Sequence, residues 1–111
     1  MNRYFVVERE QIVAEDLAQA IRVSDRTSTV ETFQAEDCVV RALRLARPKA
    51  VIVSRDPRGF HETPLGRLLA EKAIPHALLS TLADAVAVGA VVLTSPFSDE
   101  TVAAFLQSLP D

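Results

Sequence analysis

The chain has 111 residues, 49% of them hydrophobic, and a formal net charge of −3. That length and composition suit one domain, spanning residues 1–111, with a core large enough to fold alone. Its apolar runs are too short to cross a bilayer, and Met1-Asn2-Arg3 leads straight into an apolar strand rather than a signal peptide. No membrane partner is therefore expected, and cytoplasmic residence is the default. Cys38 is the single cysteine, which excludes an intramolecular disulfide; in a helix it is expected to be an ordinary semi-buried thiol.

The charge is unevenly laid out. All 12 Lys and Arg fall in residues 1–72 against 11 acids, while residues 73–111 carry four acids and no base. An acidic, base-free last third cannot neutralise phosphates, so nucleic acid is not an expected partner. Arg41, Arg44 and Arg47 form a basic row at i, i+3 and i+6, read as a solvated helix face whose cations favour the C-terminal dipole.

Taken in order, Tyr4-Phe5-Val6-Val7 is a continuous aromatic and β-branched run, the pattern of a strand covered on both faces. Ile12–Val23 repeats with helical period through Val13, Leu17 and Ile21. Ser28–Phe33 alternates and suggests a strand nearer an edge. Glu36 and Asp37 open a helix with Val39, Val40, Leu43 and Ala46 as its stripe, stopped by Pro48. Ala50-Val51-Ile52-Val53 reads as the central strand, and a polar loop follows from Ser54 to Glu62. Thr63-Pro64 is an N-cap with proline at the first helical position. His76–Leu79 is a fourth strand, Leu82–Val88 a short helix ending at Gly89, and Val91–Thr94 a fifth strand. Ser98-Asp99-Glu100 starts a last helix bearing Val102, Phe105, Leu106 and Leu109.

Strands alternating with helices imply βαβ crossovers, hence a parallel α/β sheet with helices on both faces. Ligands on such a sheet bind at the carboxyl ends of the strands. The loops there are Glu8-Arg9-Glu10, Ser54-Arg55-Asp56, Ser80-Thr81 and Ser95-Pro96.

The strand spacing, the Gly89-Ala90 and Pro96-Phe97 framing and the Pro-terminated turns together resemble the receiver domain of two-component response regulators. The likeness runs across almost the whole chain. It implies a flavodoxin-like (βα)5 fold with strand order 2-1-3-4-5, and a cis Ser95-Pro96 bond. It also implies a phosphorylation site, against which each loop is read. A receiver keeps an acidic Mg²⁺-binding pair after its first strand; Glu8 fills the first place and Arg9 the second. Ser54 stands at the phosphoacceptor aspartate, Ser80 keeps the hydroxyl that binds the phosphoryl group, and Ser95 replaces the lysine before proline. Val92 is the best match to the aromatic that swings inward on activation. A hydroxyl does not take phosphate from phosphohistidine as a carboxylate does. The expectation is a degenerate pseudo-receiver with no catalytic residue, no cofactor and no metal.

Other chemistry is weaker. Glu8, Glu10 and Asp56 could suit Mg²⁺ or Ca²⁺, but Arg9 and Arg55 lie among them and are expected to neutralise these acids, with one arginine standing in for the metal. Asp56 precedes Pro57 and reads as a turn residue. His61 and His76 lie in different segments, a poor metal pair. A Ser54–His61–Asp56 hydrolase triad lacks the Gly-x-Ser-x-Gly turn, and the three glycines, Gly59, Gly66 and Gly89, make no phosphate loop.

Function is then expected on a surface. Ala83, Ala87 and Val88 should point outward from the fourth helix as a small apolar patch, extended by Ala103 and Ala104 on the last. In receivers the fourth helix, fifth strand and fifth helix form the dimerisation and output face. The expected partner is a protein, either a signalling protein or a histidine kinase-like one, with a homodimer through the same face as a further expectation. The alternative is a small-molecule-binding protein or small enzyme using a single Glu8/Ser54/Ser80/Ser95 pocket.

Overall fold

The computed structural model describes residues 1–81 and 91–110. Its five strands are β1 (Arg3–Val7), β2 (Thr29–Phe33), β3 (Ala50–Ser54), β4 (His76–Ser80) and β5 (Val91–Thr94). All neighbours pair in parallel, in the order β2-β1-β3-β4-β5. Four α-helices stand among the described residues: α1 (Gln11–Ser24), α2 (Glu36–Leu43), α3 (Pro64–Glu71) and α4 (Asp99–Gln107). The expected helix over Leu82–Val88 lies outside the described residues. None of the described helices is long and apolar enough to cross a membrane.

The strand pattern explains the two-layered core. In β1, Tyr4 and Val6 face one side and Phe5 and Val7 the other; in β3, Ala50 and Ile52 oppose Val51 and Val53. One layer gathers Leu17 and Ile21 of α1 with Val102, Phe105 and Leu106 of α4; the other gathers Val39 and Leu43 of α2 with Leu65 and Leu69 of α3. Burial on both faces is why these strands read as unbroken apolar runs. The edge strand β2 keeps Thr29 and Thr32 exposed, and its Phe33 meets Phe5 edge-on at 5.1 Å between ring centroids.

The N-cap read at Thr63 is present, and Ser98 caps the last helix in the same way. Thr63 Oγ1 accepts the Gly66 N–H at 3.1 Å, and Ser98 Oγ accepts the Thr101 N–H at 3.1 Å. Helix α3 closes with Ala73 in the left-handed region at φ 54°, where the Ile74 N–H bonds back to the Leu69 carbonyl at 2.9 Å.

Two expectations need correction. Helix α2 stops at Leu43 instead of continuing to Pro48. The segment must turn there so that the Lys49 N–H can reach the Arg3 carbonyl, 2.7 Å away, and set the start of β3. Arg41 alone of the basic row therefore lies on the regular helix. Cys38 is exposed, not semi-buried. It precedes Val39, which is fully buried against the sheet, and one residue along a helix rotates a side chain by about 100°.

Candidate functional site

The strand ladder carries past β1 and β3 into the loops that form the site. The Glu8 N–H bonds the Phe33 carbonyl (2.9 Å), the Arg55 N–H the Leu79 carbonyl (3.0 Å) and the Ser95 N–H the Ser80 carbonyl (2.7 Å). Register pairs Val7 with Val53, Ser54 with Leu79 and Ser80 with Thr94. The Ser95-Pro96 bond is cis.

Glu8 is 8% exposed, and its carboxylate accepts the Glu10 N–H at 3.1 Å. Ser80 is 5% exposed, Ser54 and Ser95 are half-buried, and Arg9 points into solvent with no described hydrogen bond or ion pair. Ser54 and Ser80 share a cavity of about 260 Å³ with Arg55, Asp56 and Thr81. Glu8 lines a different one, about 310 Å³, with Gln11, Glu15 and Gln34. Ser95 lines a third, about 430 Å³, with Asp16, Phe97 and Asp99. The fold thus brings two of the four residues of the supposed single pocket together and divides the others among neighbouring cavities.

The arginines behave differently from the sequence-based expectation: neither Arg9 nor Arg55 pairs with Glu8 or Glu10. Arg55 has the same parity as Val51 and Val53, so it leaves the sheet on the α2–α3 side. There it donates to the Asp56 carbonyl (2.8 Å), the Glu36 carboxylate (3.4 Å) and the Arg58 carbonyl (3.4 Å), and lies 5.3 Å above the Phe60 ring. Asp56 is neutralised by Arg58, which the sequence reading did not single out. Its carboxylate accepts the Arg58 N–H at 2.9 Å and is gripped by both Nε and Nη2 of that guanidinium. These hydrogen bonds, side-chain ones foremost, hold the Asp56 carboxyl down to about 2, so it is ionised at any ordinary pH. The Asp-Pro-Arg-Gly order, a turn in which an Asx side chain bonds the backbone two residues on, was the available signal. Glu36 gave none, because it reaches Arg55 from a separate helix.

Ser54 Oγ, at the end of β3, has no general base among the described hydrogen bonds. Glu8, Glu10 and Asp56 do not assemble into a group of three ligands for a metal ion. His61 is exposed and bonded to neither Ser54 nor Asp56, so the paper triad is not formed. Of the proposed interaction face, Ala103 is half-buried and Ala104 exposed on α4, while Ala83, Ala87 and Val88 lie outside the described residues. Val92 is half-buried on β5.

No protein-family model and no curated protein matches the chain. Solved structures do. A CheY-like response regulator receiver domain from Methylobacillus flagellatus superposes with a TM-score of 0.79 at 17% identity, covering 99% of each chain. A response regulator receiver protein from Burkholderia phymatum gives 0.75 at 25% identity, with full coverage of both. The anti-anti-sigma factor PhyR from Bartonella quintana gives 0.73 at 14% identity, over 95% of this chain and 45% of that one. The fold of this chain is the flavodoxin-like α/β fold of CheY-like receiver domains.

Proposed function

We propose that the chain is a receiver-like module that does not take up phosphate and acts by binding another protein in two-component-type signalling. One observation carries the reading: Ser54 ends the central strand where an acceptor carboxylate would stand. The neighbouring Asp56 is tied to Arg58 and turned to a different task. Arg55, bridging to Glu36 across the face of Phe60, anchors the loop that follows β3. Guanidinium–carboxylate contacts already occupy Asp56, which follows β3, and Glu36 on α2. The reading assigns the protein contact to the α4 side, where Ala104 is exposed. The similarity to an anti-anti-sigma factor supports a partner that is itself a protein.

The site's ion pairs give a test. Urea denaturation of the intact chain with and without millimolar Mg²⁺ should return the same midpoint, because a ligand stabilises a fold only by binding its native state. A clear rise in midpoint with Mg²⁺ would mean that Glu8 and its neighbours hold a cation after all.

A further inference from the structure

The C-terminal ends of α2 and α3 meet at one corner, each capped by a cation from the other's side. Arg47 donates to the carbonyls of Lys72 (2.5 Å) and Ala73 (3.2 Å), beyond the end of α3. Lys72 donates in return to the Leu43 carbonyl of α2 at 2.8 Å. These contacts satisfy carbonyls that a helix end leaves unpaired and set positive charge against the negative ends of two dipoles. Helix-end electrostatics therefore accounts for Arg47 and Lys72.

It gives Arg41 and Arg44, at the end of α2, no described side-chain partner and does not account for Leu45. Both arginines are exposed, and neither makes a described hydrogen bond or ion pair through its side chain. Leu45 is 91% exposed. Past the end of α2 the turn stays helical in sense: the Arg44 N–H bonds the Arg41 carbonyl, and the Leu45 and Ala46 N–H groups both bond the Ala42 carbonyl. Spacings of three and four on such a surface make Arg41, Arg44 and Leu45 immediate neighbours. Glu71 is the one acid in the last turn of either helix, so the corner keeps an excess of cations.

We infer that this corner docks an acidic segment of a partner protein, which presents carboxylates to Arg41 and Arg44 and an apolar side chain to Leu45. Guanidinium groups grip carboxylates through two parallel N–H bonds, and a bare leucine beside them supplies the apolar contact that fixes position. A bilayer fits less well, since one leucine offers little area for insertion. A nucleic acid fits less well because two exposed arginines neutralise few phosphates and the last third of the chain carries no base. The inference rests on the reading that this protein works by protein contact, and it names a surface separate from α4.

Fluorescence anisotropy tests it on the full chain, with a labelled helical peptide carrying Glu at i and i+3 and Leu at i+4. Saturable binding is expected, weakened by about tenfold in the Arg41→Glu/Arg44→Glu variant and several-fold in Leu45→Ser, with unchanged denaturation midpoints. Absence of binding, equal binding by the variants, or equal binding of a Lys-for-Glu peptide would overturn it. So would tighter binding of phosphatidylserine vesicles or duplex DNA. Phosphoryl uptake by the chain would sink the earlier reading without altering any of these results.

Discussion

Replacing Gly66 with alanine should destabilise the protein by about 3 kcal/mol, read as a lower urea midpoint at unchanged slope. In an unhindered helix the same exchange would stabilise, since alanine has the better propensity by about 1 kcal/mol. Here the sign reverses because an added Cβ would lie 2.1 Å from the Phe60 carbonyl oxygen and 2.7 Å from the His61 Cα. Both neighbours are backbone, and neither is free to yield. The Phe60 carbonyl already accepts the Thr63 N–H (2.9 Å) and the Thr63 hydroxyl (2.5 Å). That hydroxyl oxygen in turn accepts the Gly66 N–H. Backing the 3-10 turn (Phe60–Glu62) away from α3 would therefore break the N-cap that starts the helix. A midpoint equal to that of the native chain would show that the turn is far softer than these contacts imply.

Phe60→Ala should cost about 3 to 5 kcal/mol, the range for emptying a fully buried aromatic site. The ring is 1% exposed and belongs to the α2–α3 layer of the core. It also stands between two site elements, 5.7 Å from the His76 ring and under the Arg55 guanidinium. Removing it takes away both the packing and the surface that holds Arg55 toward Glu36. Phe60→Leu keeps most of the volume and should lose less than about 1.5 kcal/mol. A loss below about 1 kcal/mol in Phe60→Ala would show that the ring is not the anchor of the loop after β3.

Much of this fold was legible because its strands are covered twice. Runs such as Ala50-Val51-Ile52-Val53 have no polar face, and only a sheet with helices on both sides buries them so completely. Thr63-Pro64 and Ser98-Asp99-Glu100 announced their helices by local hydrogen bonding, which needs no tertiary information. The end of α2 was not legible, since it is dictated by the reach of Lys49 to β1 rather than by Pro48 alone. At the site, the positions of Glu8, Ser54, Ser80 and Ser95 follow from where each strand ends. What their neighbours do does not. Strand parity sends Arg55 to the far side of the sheet from Glu8, and its partner Glu36 is set by packing across a sequence separation of 19 residues. The division into three cavities depends on side-chain placement that no spacing rule supplies.

Intact mass spectrometry after treatment with acetyl phosphate and Mg²⁺ bears most directly on whether this receiver-like chain has given up phosphotransfer. On the function proposed above the chain should keep its native mass, because Ser54 at the end of β3 carries no carboxylate and Asp56 is held by Arg58. A hydroxylamine-labile gain of one phosphoryl group, the mark of an acyl phosphate on a carboxylate, would contradict the account.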